Sequence, residues 1–72
     1  MTWQQFSTFE SSNIESIRYD DETLTLEIRF LNGGTYQYFD VPEQVRRDFE
    51  QSDSKGKFLS SFIKGHFRYG KV

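Results

Sequence analysis

The clearest pattern in the chain is a strict alternation of polar and apolar side chains over residues 23–30. Leu24, Leu26, Ile28 and Phe30 occupy every second position, between threonine, glutamate and arginine residues. A period of two is typical of a β-strand with one buried face. We therefore predict a strand from Thr23 to Leu31 whose four apolar side chains point into the core.

Two shorter segments beside this strand are predicted to pair with it. Residues 13–20 and 35–39 contain the β-branched and aromatic residues that strands favour. A turn at Asp20-Asp21-Glu22 and a loop at Asn32-Gly33-Gly34 separate the three segments. Pro42 ends the sheet, because it has no backbone N–H to donate. The pattern predicts a three-stranded antiparallel meander.

The length of the second loop decides which sheet face Tyr36 and Tyr38 occupy. A three-residue loop at Asn32-Gly33-Gly34 pairs Phe30 with Tyr36 and Ile28 with Tyr38, which puts both tyrosines on the core face. A two-residue Asn-Gly turn would shift the pairing by one residue and move them to the opposite face. We favour the three-residue loop, with its second glycine at positive φ.

The first hairpin follows from the same parity argument. Tyr19 opposite Leu24 places Ile17 opposite Leu26, so all four side chains share the core face. Phe39 then points to the other face of the sheet.

Helices are predicted after the sheet. Val45 and Phe49, four residues apart, indicate a short helix from about Pro42 to Gln51. Ser52-Asp53-Ser54 offers capping residues for a second helix, which Gly65 ends. Its apolar stripe consists of Phe58, Leu59, Phe62 and Ile63. Residues 66–72 are expected to return as an extended segment. Two C-terminal helices packed on one face of a β-meander make an α+β fold.

Composition limits how such a short chain can be stabilised. The 72 residues make one domain, without cysteine for a disulfide and with His66 as the only histidine. The chain instead has eight phenylalanines, four tyrosines and one tryptophan. Each such ring can bury roughly 150–250 Å². We therefore expect a compact aromatic core.

Catalytic chemistry finds no support in the sequence. No serine has a visible base and His66 stands alone, so we expect no enzyme, no catalytic residue, no metal and no cofactor. Asp20-Asp21-Glu22 lacks the spacing of a calcium loop and is predicted to be an acidic turn. The chain has no apolar run of about 20 residues. Residues 1–5 lack the features of a signal peptide, so we predict a cytoplasmic protein.

Charge is distributed unevenly along the chain. Residues 1–54 carry four basic and eleven acidic side chains, a net charge of −7, whereas residues 55–72 carry five basic side chains and no acid. The five are Lys55, Lys57, Lys64, Arg68 and Lys71. Either they form a nucleic-acid footprint, contacting phosphates while Phe39 or Tyr69 stacks on bases, or they are a solvated helix face.

The segment Ser54-Lys55-Gly56-Lys57 is a candidate anion site at the start of the second helix. Free N–H groups at a helix N-terminus attract anions, and the two lysines add positive charge. The alternative is a simple capped helix in which Gly56 lets the sheet approach.

The first ten residues carry Trp3, Phe6 and Phe9 at intervals of three. They predict either a short helical turn or an arm laid across the core, ahead of a domain over residues 11–72. An exposed apolar arm would instead suit a protein-interaction module, which is the alternative to RNA binding. The sequence does not predict an oligomeric state.

The order of these motifs resembles the KTSC domain family. The resemblance rests on Ser11-Ser12-Asn13-Ile14, Ile17-Arg18-Tyr19-Asp20, the central hairpin from Thr23 to Gly34, Tyr36-Gln37-Tyr38-Phe39 with Val41-Pro42, Ser54-Lys55-Gly56-Lys57-Phe58, and Ile63 to Tyr69. Arg18 replaces an expected small residue, and Phe67 an expected tyrosine.

What this resemblance implies is a partner class and no mechanism. The family is named for a domain at the C-terminus of some lysyl-tRNA synthetases and also occurs as stand-alone small bacterial proteins, which this chain resembles. RNA or tRNA is the partner it implies. Tyr36 and Tyr38 match its Tyr-x-Tyr signature.

Overall fold

A sheet of five antiparallel strands runs through the computed structural model, which describes residues 2–72. The strands are β1 (Trp3–Gln5), β2 (Ile14–Asp20), β3 (Thr25–Phe30), β4 (Thr35–Tyr38) and β5 (Tyr69–Lys71). Each pairs with its neighbours in sequence, so β1 and β5 are the edges. The α+β class is confirmed. The prediction of only three strands was wrong. The two edge strands, β1 and β5, have three residues each, which is too few to show an alternation.

Strand β1 lies within the segment expected to be a helical turn or an arm. Trp3 pairs with Asp20, and the N–H of Phe6 donates to the carbonyl of Ile17 at 3.0 Å. The Phe6 ring is buried against Phe49, with centroids 5.4 Å apart. The first residues therefore contribute an edge strand and a core side chain. Met1 lies outside the described residues.

The first hairpin has the predicted faces but a different register. Tyr19 lies opposite Leu26 and Ile17 opposite Ile28, two residues from the predicted pairing. A shift of two keeps every side chain on its face. Leu24 is not in the strand as predicted; it ends the turn with φ 55° and is exposed. Its carbonyl accepts a hydrogen bond from the N–H of Val41 at 2.9 Å, which links the turn to the segment that follows β4.

The second hairpin has a three-residue loop, as favoured, displaced by one residue. The N–H of Phe30 donates to the carbonyl of Gly34 at 2.8 Å, so the loop is Leu31-Asn32-Gly33. The positive φ of 98° falls on Gly33, not on Gly34 as predicted. Tyr36 lies opposite Ile28 and Tyr38 opposite Leu26. Both tyrosines are therefore on the core face, as expected.

Two helical segments cover that face. Helix α1 spans Glu43–Gln51, and α2 spans Lys55–Phe58, with Ser54 as the predicted N-cap. The chain continues as a π-helical turn over Leu59–Ile63, closed by a 2.8 Å hydrogen bond from Lys64 N–H to the Leu59 carbonyl. This wider turn was not predicted. Phe62, assigned to the apolar stripe, is 58% exposed.

The core lies between sheet and helices. Its fully buried side chains include Tyr19, Leu26, Ile28, Val41, Phe49 and Ile63. The Tyr19 hydroxyl donates to the carbonyl of Val41 at 2.6 Å, which ties the sheet to the segment leading into α1. Among residues 2–72, no helix has the length and apolar character needed to cross a bilayer.

Candidate nucleic-acid interface

A groove of about 1270 Å³ opens beside the β3–β4 loop on the helix-covered face of the sheet. Phe30, Tyr36, Tyr38 and Tyr69 supply its rings, and Lys64 and Lys71 its charges. The remaining lining residues are Ser12, Asn13, Leu31, Asn32, Gly33, Gly34 and Gly65. None of these side chains is acidic. The groove therefore combines aromatic surface with uncompensated positive charge.

The sheet register assembles this groove. Tyr38 lies opposite Tyr69, and Tyr36 opposite Lys71, so β4 and β5 present these four side chains on one face. The helical segment ends at Ile63, and the chain then turns at Gly65, whose φ is 81°. Beyond that point Tyr69 remains 62% exposed. The edge of the sheet formed by β4 and β5 is thus left open on this face.

The rings of the groove contact one another in a cluster in which Tyr38 is buried and Tyr69 is exposed. Phe30 meets Tyr36 edge to face with centroids 5.7 Å apart, and Tyr36 lies 6.0 Å from Tyr69. Tyr69 in turn lies 5.6 Å from Tyr38. An aromatic platform beside positive charge is the arrangement that binds single-stranded nucleic acid without a strict sequence requirement.

The two lysines of the groove are available to a ligand. The ammonium of Lys64 lies 5.9 Å from the centre of the Phe30 ring. Lys71 is exposed on β5. Within residues 2–72, neither lysine forms an ion pair. Their charge is therefore not neutralised by the fold itself.

Lys55 and Lys57, also predicted to contact phosphates, lie outside the groove. Lys55 is buried, and its ammonium donates to the Ser52 carbonyl at 2.7 Å and lies 5.5 Å from the Phe9 ring. Lys57 is exposed, and its N–H donates to the capping Ser54 hydroxyl at 3.3 Å. The anion site predicted at residues 54–57 stays a prediction, on an α-helix of four residues.

Arg68 and Phe39 lie on the sheet face opposite to that of Tyr69 and Lys71. The Arg68 guanidinium is 5.8 Å from the Phe39 ring centre and bonds to Asp40 Oδ2 at 2.7 Å. Phe39 packs over Gly70, where an added Cβ would be 3.8 Å from the ring. A shallow second cleft of about 570 Å³ lies here. Of the predicted residues, the structure thus brings Lys64, Tyr69 and Lys71 together and separates Arg68 and Phe39 from them.

The aromatic N-terminal residues are engaged by the fold. Phe6 is buried, the Arg18 guanidinium lies 4.3 Å from the Trp3 ring centre, and Phe9 packs against the core beneath Lys55. Sequence reasoning missed that Phe30, Tyr36 and Tyr38 would line a groove with Tyr69. The signal in the sequence was that Tyr36 and Tyr38 are two residues apart, as are Tyr69 and Lys71. This spacing places both members of each pair on one face of a strand.

Comparison with known proteins agrees with this fold. The model of the KTSC domain family matches residues 10–67. The crystal structure of a KTSC domain protein from Yersinia pestis is 42% identical, covers 99% of both chains and superposes with a TM-score of 0.90. A protein from Tsukamurella paurometabola is 41% identical over 59 residues, which are 82% of this chain and 88% of that protein.

A longer relative contains the same domain. The lysine–tRNA ligase of Nostoc punctiforme is 42% identical over 63 residues, which are 88% of this chain. The matched segment is only 11% of the ligase. This chain therefore spans about a tenth of the length of that relative, and nothing in the match concerns the rest of the ligase.

Proposed function

This chain belongs to the KTSC domain family, and from that membership and the groove we propose that it is a small, non-enzymatic module that binds single-stranded RNA. One observation carries the proposal: four contacting rings lie beside two lysines that form no ion pair with any of residues 2–72, and none of the lining side chains given above is acidic. A related protein is by name a lysine–tRNA ligase, so we propose unpaired regions of tRNA as the ligand. A cytoplasmic location, expected from the sequence, belongs to the same proposal.

Stacking supports a single strand as the ligand. An exposed ring such as Tyr69 can stack on a base only if the base face is free, and in a duplex the base faces are covered by their neighbours. Stacking on an aromatic side chain stabilises a complex by about 1–3 kcal/mol per base. A loop or an end of tRNA offers such bases, whereas its stems do not.

Charge supports a polyanion. Lys64 and Lys71 flank the rings, and neutralising about two phosphates of a single strand predicts that log affinity falls with log salt with a slope of about −1.4. Lys55 and Lys57 lie outside the groove and should contribute little to this slope.

The alternative of a protein-interaction module loses the feature that motivated it. It depended on exposed aromatic side chains in the first ten residues, and Phe6 is buried while Trp3 and Phe9 are half-buried. We therefore keep RNA binding as the single proposal.

Fluorescence anisotropy with a labelled uridine decamer and with tRNA, at 50 and 200 mM salt, tests it. The double variant Lys64→Gln/Lys71→Gln should lose most of the affinity and of the salt slope. The control Lys57→Gln/Arg29→Gln removes the same charge from exposed positions outside the groove, and it should bind like the wild type. Absence of binding at high micromolar protein and low salt, or equal losses in both variants, would contradict the proposal.

A further inference from the structure

The three tyrosine hydroxyls of the groove lack partners within the fold. Tyr36, Tyr38 and Tyr69 have contacting rings, and none of their hydroxyls makes a hydrogen bond with any of residues 2–72. Tyr38 is only 4% exposed. Tyr19, the other buried tyrosine, donates to the Val41 carbonyl. Among residues 2–72, the buried side-chain atoms without a hydrogen-bond partner are Asp20 Oδ2 and Arg46 Nε, so the Tyr38 hydroxyl is not sealed in the core and remains open to a ligand in the groove.

We infer that the hydroxyls of Tyr36, Tyr38 and Tyr69, together with the Lys71 ammonium, form a binding subsite for one phosphate group. The inference rests on the proposed function for the source of that phosphate, an RNA strand. A phosphate offers several acceptor oxygens, and hydrogen bonds from O–H donors to a charged acceptor are short and about twice as strong as neutral ones. Lysine adds its ammonium as a point charge.

The groove suits a negatively charged ligand that accepts hydrogen bonds. Burial raises the pKa of Tyr38, and the nearby phenols of Tyr69 and Tyr36 raise it further. Its hydroxyl therefore keeps its proton at neutral pH and can donate it. No carboxylate lines the groove, so no acidic side chain there repels the anion or takes up these donors.

In this arrangement the rings and the hydroxyls of the same tyrosines bind different parts of the ligand. Ring faces such as that of Tyr69 contact bases, while the hydroxyl ends hold the phosphate that links them. A nucleoside without phosphate should then bind more weakly than its 5′-monophosphate, although both offer the same base.

Tyr38→Phe tests the subsite, because it removes one oxygen and leaves the ring in place. Since that hydroxyl has no partner, the variant should be at least as stable as the wild type. Tyrosine ring signals in NMR spectra should respond to inorganic phosphate and to uridine monophosphate in the wild type, and less in Tyr38→Phe. Affinity for the uridine decamer should fall about five- to tenfold. Ser61→Ala, which removes an exposed hydroxyl outside the groove, should change neither.

The outcomes separate the two proposals. Unchanged phosphate and decamer affinities in Tyr38→Phe and in Tyr69→Phe, which keeps the exposed ring and its contacts, would overturn the subsite even if RNA binds. Phosphate binding that depends on Tyr38, without any binding of the decamer, would support the subsite and reject RNA as its source, leaving a free phosphate or mononucleotide as the ligand.

Discussion

Arg18 and Glu27 face each other across β2 and β3, and Arg18 Nε donates to Glu27 Oε2 at 2.6 Å. Gln37 donates to the other carboxylate oxygen at 2.9 Å. The pair lies on the sheet face opposite the tyrosines, and the Glu27 side chain is only 9% exposed. Burial alone would raise the pKa of Glu27, but the two hydrogen bonds and the charge of Arg18 outweigh it, so the pKa is lowered.

This lowered pKa predicts acid sensitivity. The unfolded chain binds the proton of Glu27 near pH 4.5 and the folded chain only at lower pH. The contribution to stability is therefore present above pH 4.5 and is lost as the pH falls through the folded pKa. Glu27→Gln should lower the free energy of unfolding by about 1–2 kcal/mol at pH 7, and by less at pH 3. Urea unfolding followed by Trp3 fluorescence measures both values.

Glu15→Gln is the matched control for this prediction. Its partner Arg29 lies 3.8 Å away, and both side chains are about half exposed, so its effect should stay below about 0.5 kcal/mol at both pH values. A Glu27→Gln effect that is absent at pH 7, or that grows in acid, would contradict the assignment.

Phe6 should be needed for stability although it precedes the region that the family model matches. Phe6→Ala removes a buried ring packed on Phe49 and should lower the free energy of unfolding by about 3 kcal/mol. Phe62→Ala removes an exposed ring and should cost less than about 1 kcal/mol. Thermal and urea unfolding of the two variants decide the point. Equal effects would mean that the Phe6 ring contributes no more to stability than an exposed ring.

The two loop glycines should respond differently to the same substitution. Gly33 has φ 98°, and Gly34 does not have positive φ. Gly33→Ala should therefore lower the free energy of unfolding by about 1–2 kcal/mol. An added Cβ at Gly34 meets only ordinary contacts at 3.5 Å, so Gly34→Ala should change stability by less than about 0.5 kcal/mol. Denaturant unfolding compares the two, and the reverse order would show that the loop is Asn32-Gly33-Gly34 after all.

The two-residue periodicity of apolar side chains in the sequence predicted much of the fold. The alternation through Leu26 and Ile28 identified the central strand, and its faces survived a register error because the hairpins slipped by two residues. Leu24 was misplaced because the pattern does not distinguish the last apolar residue of a turn from the first of a strand. Strands β1 and β5 have three residues each, which is too short for periodicity to reveal.

The candidate site was only partly predictable. Three of the residues predicted to contact nucleic acid, Lys64, Tyr69 and Lys71, line one groove, and their role in binding stays a prediction. Lys55 could not be excluded from sequence, because its burial depends on how α2 meets the Ser52 carbonyl and the Phe9 ring. The groove begins where the π-helical turn ends at Ile63. The pattern of apolar residues does not indicate this local geometry.

The order of the strands has a consequence for fusion to larger proteins. Strand β1 starts at the edge far from β5, and Trp3 lies beside Asp20, at the end of the strands opposite the Leu31-Asn32-Gly33 loop. With about 4.8 Å between neighbouring strands, the two edges lie nearly 20 Å apart. A polypeptide joined ahead of β1 would therefore adjoin the sheet edge opposite to the one that carries Tyr69 and Lys71, with β2, β3 and β4 between them.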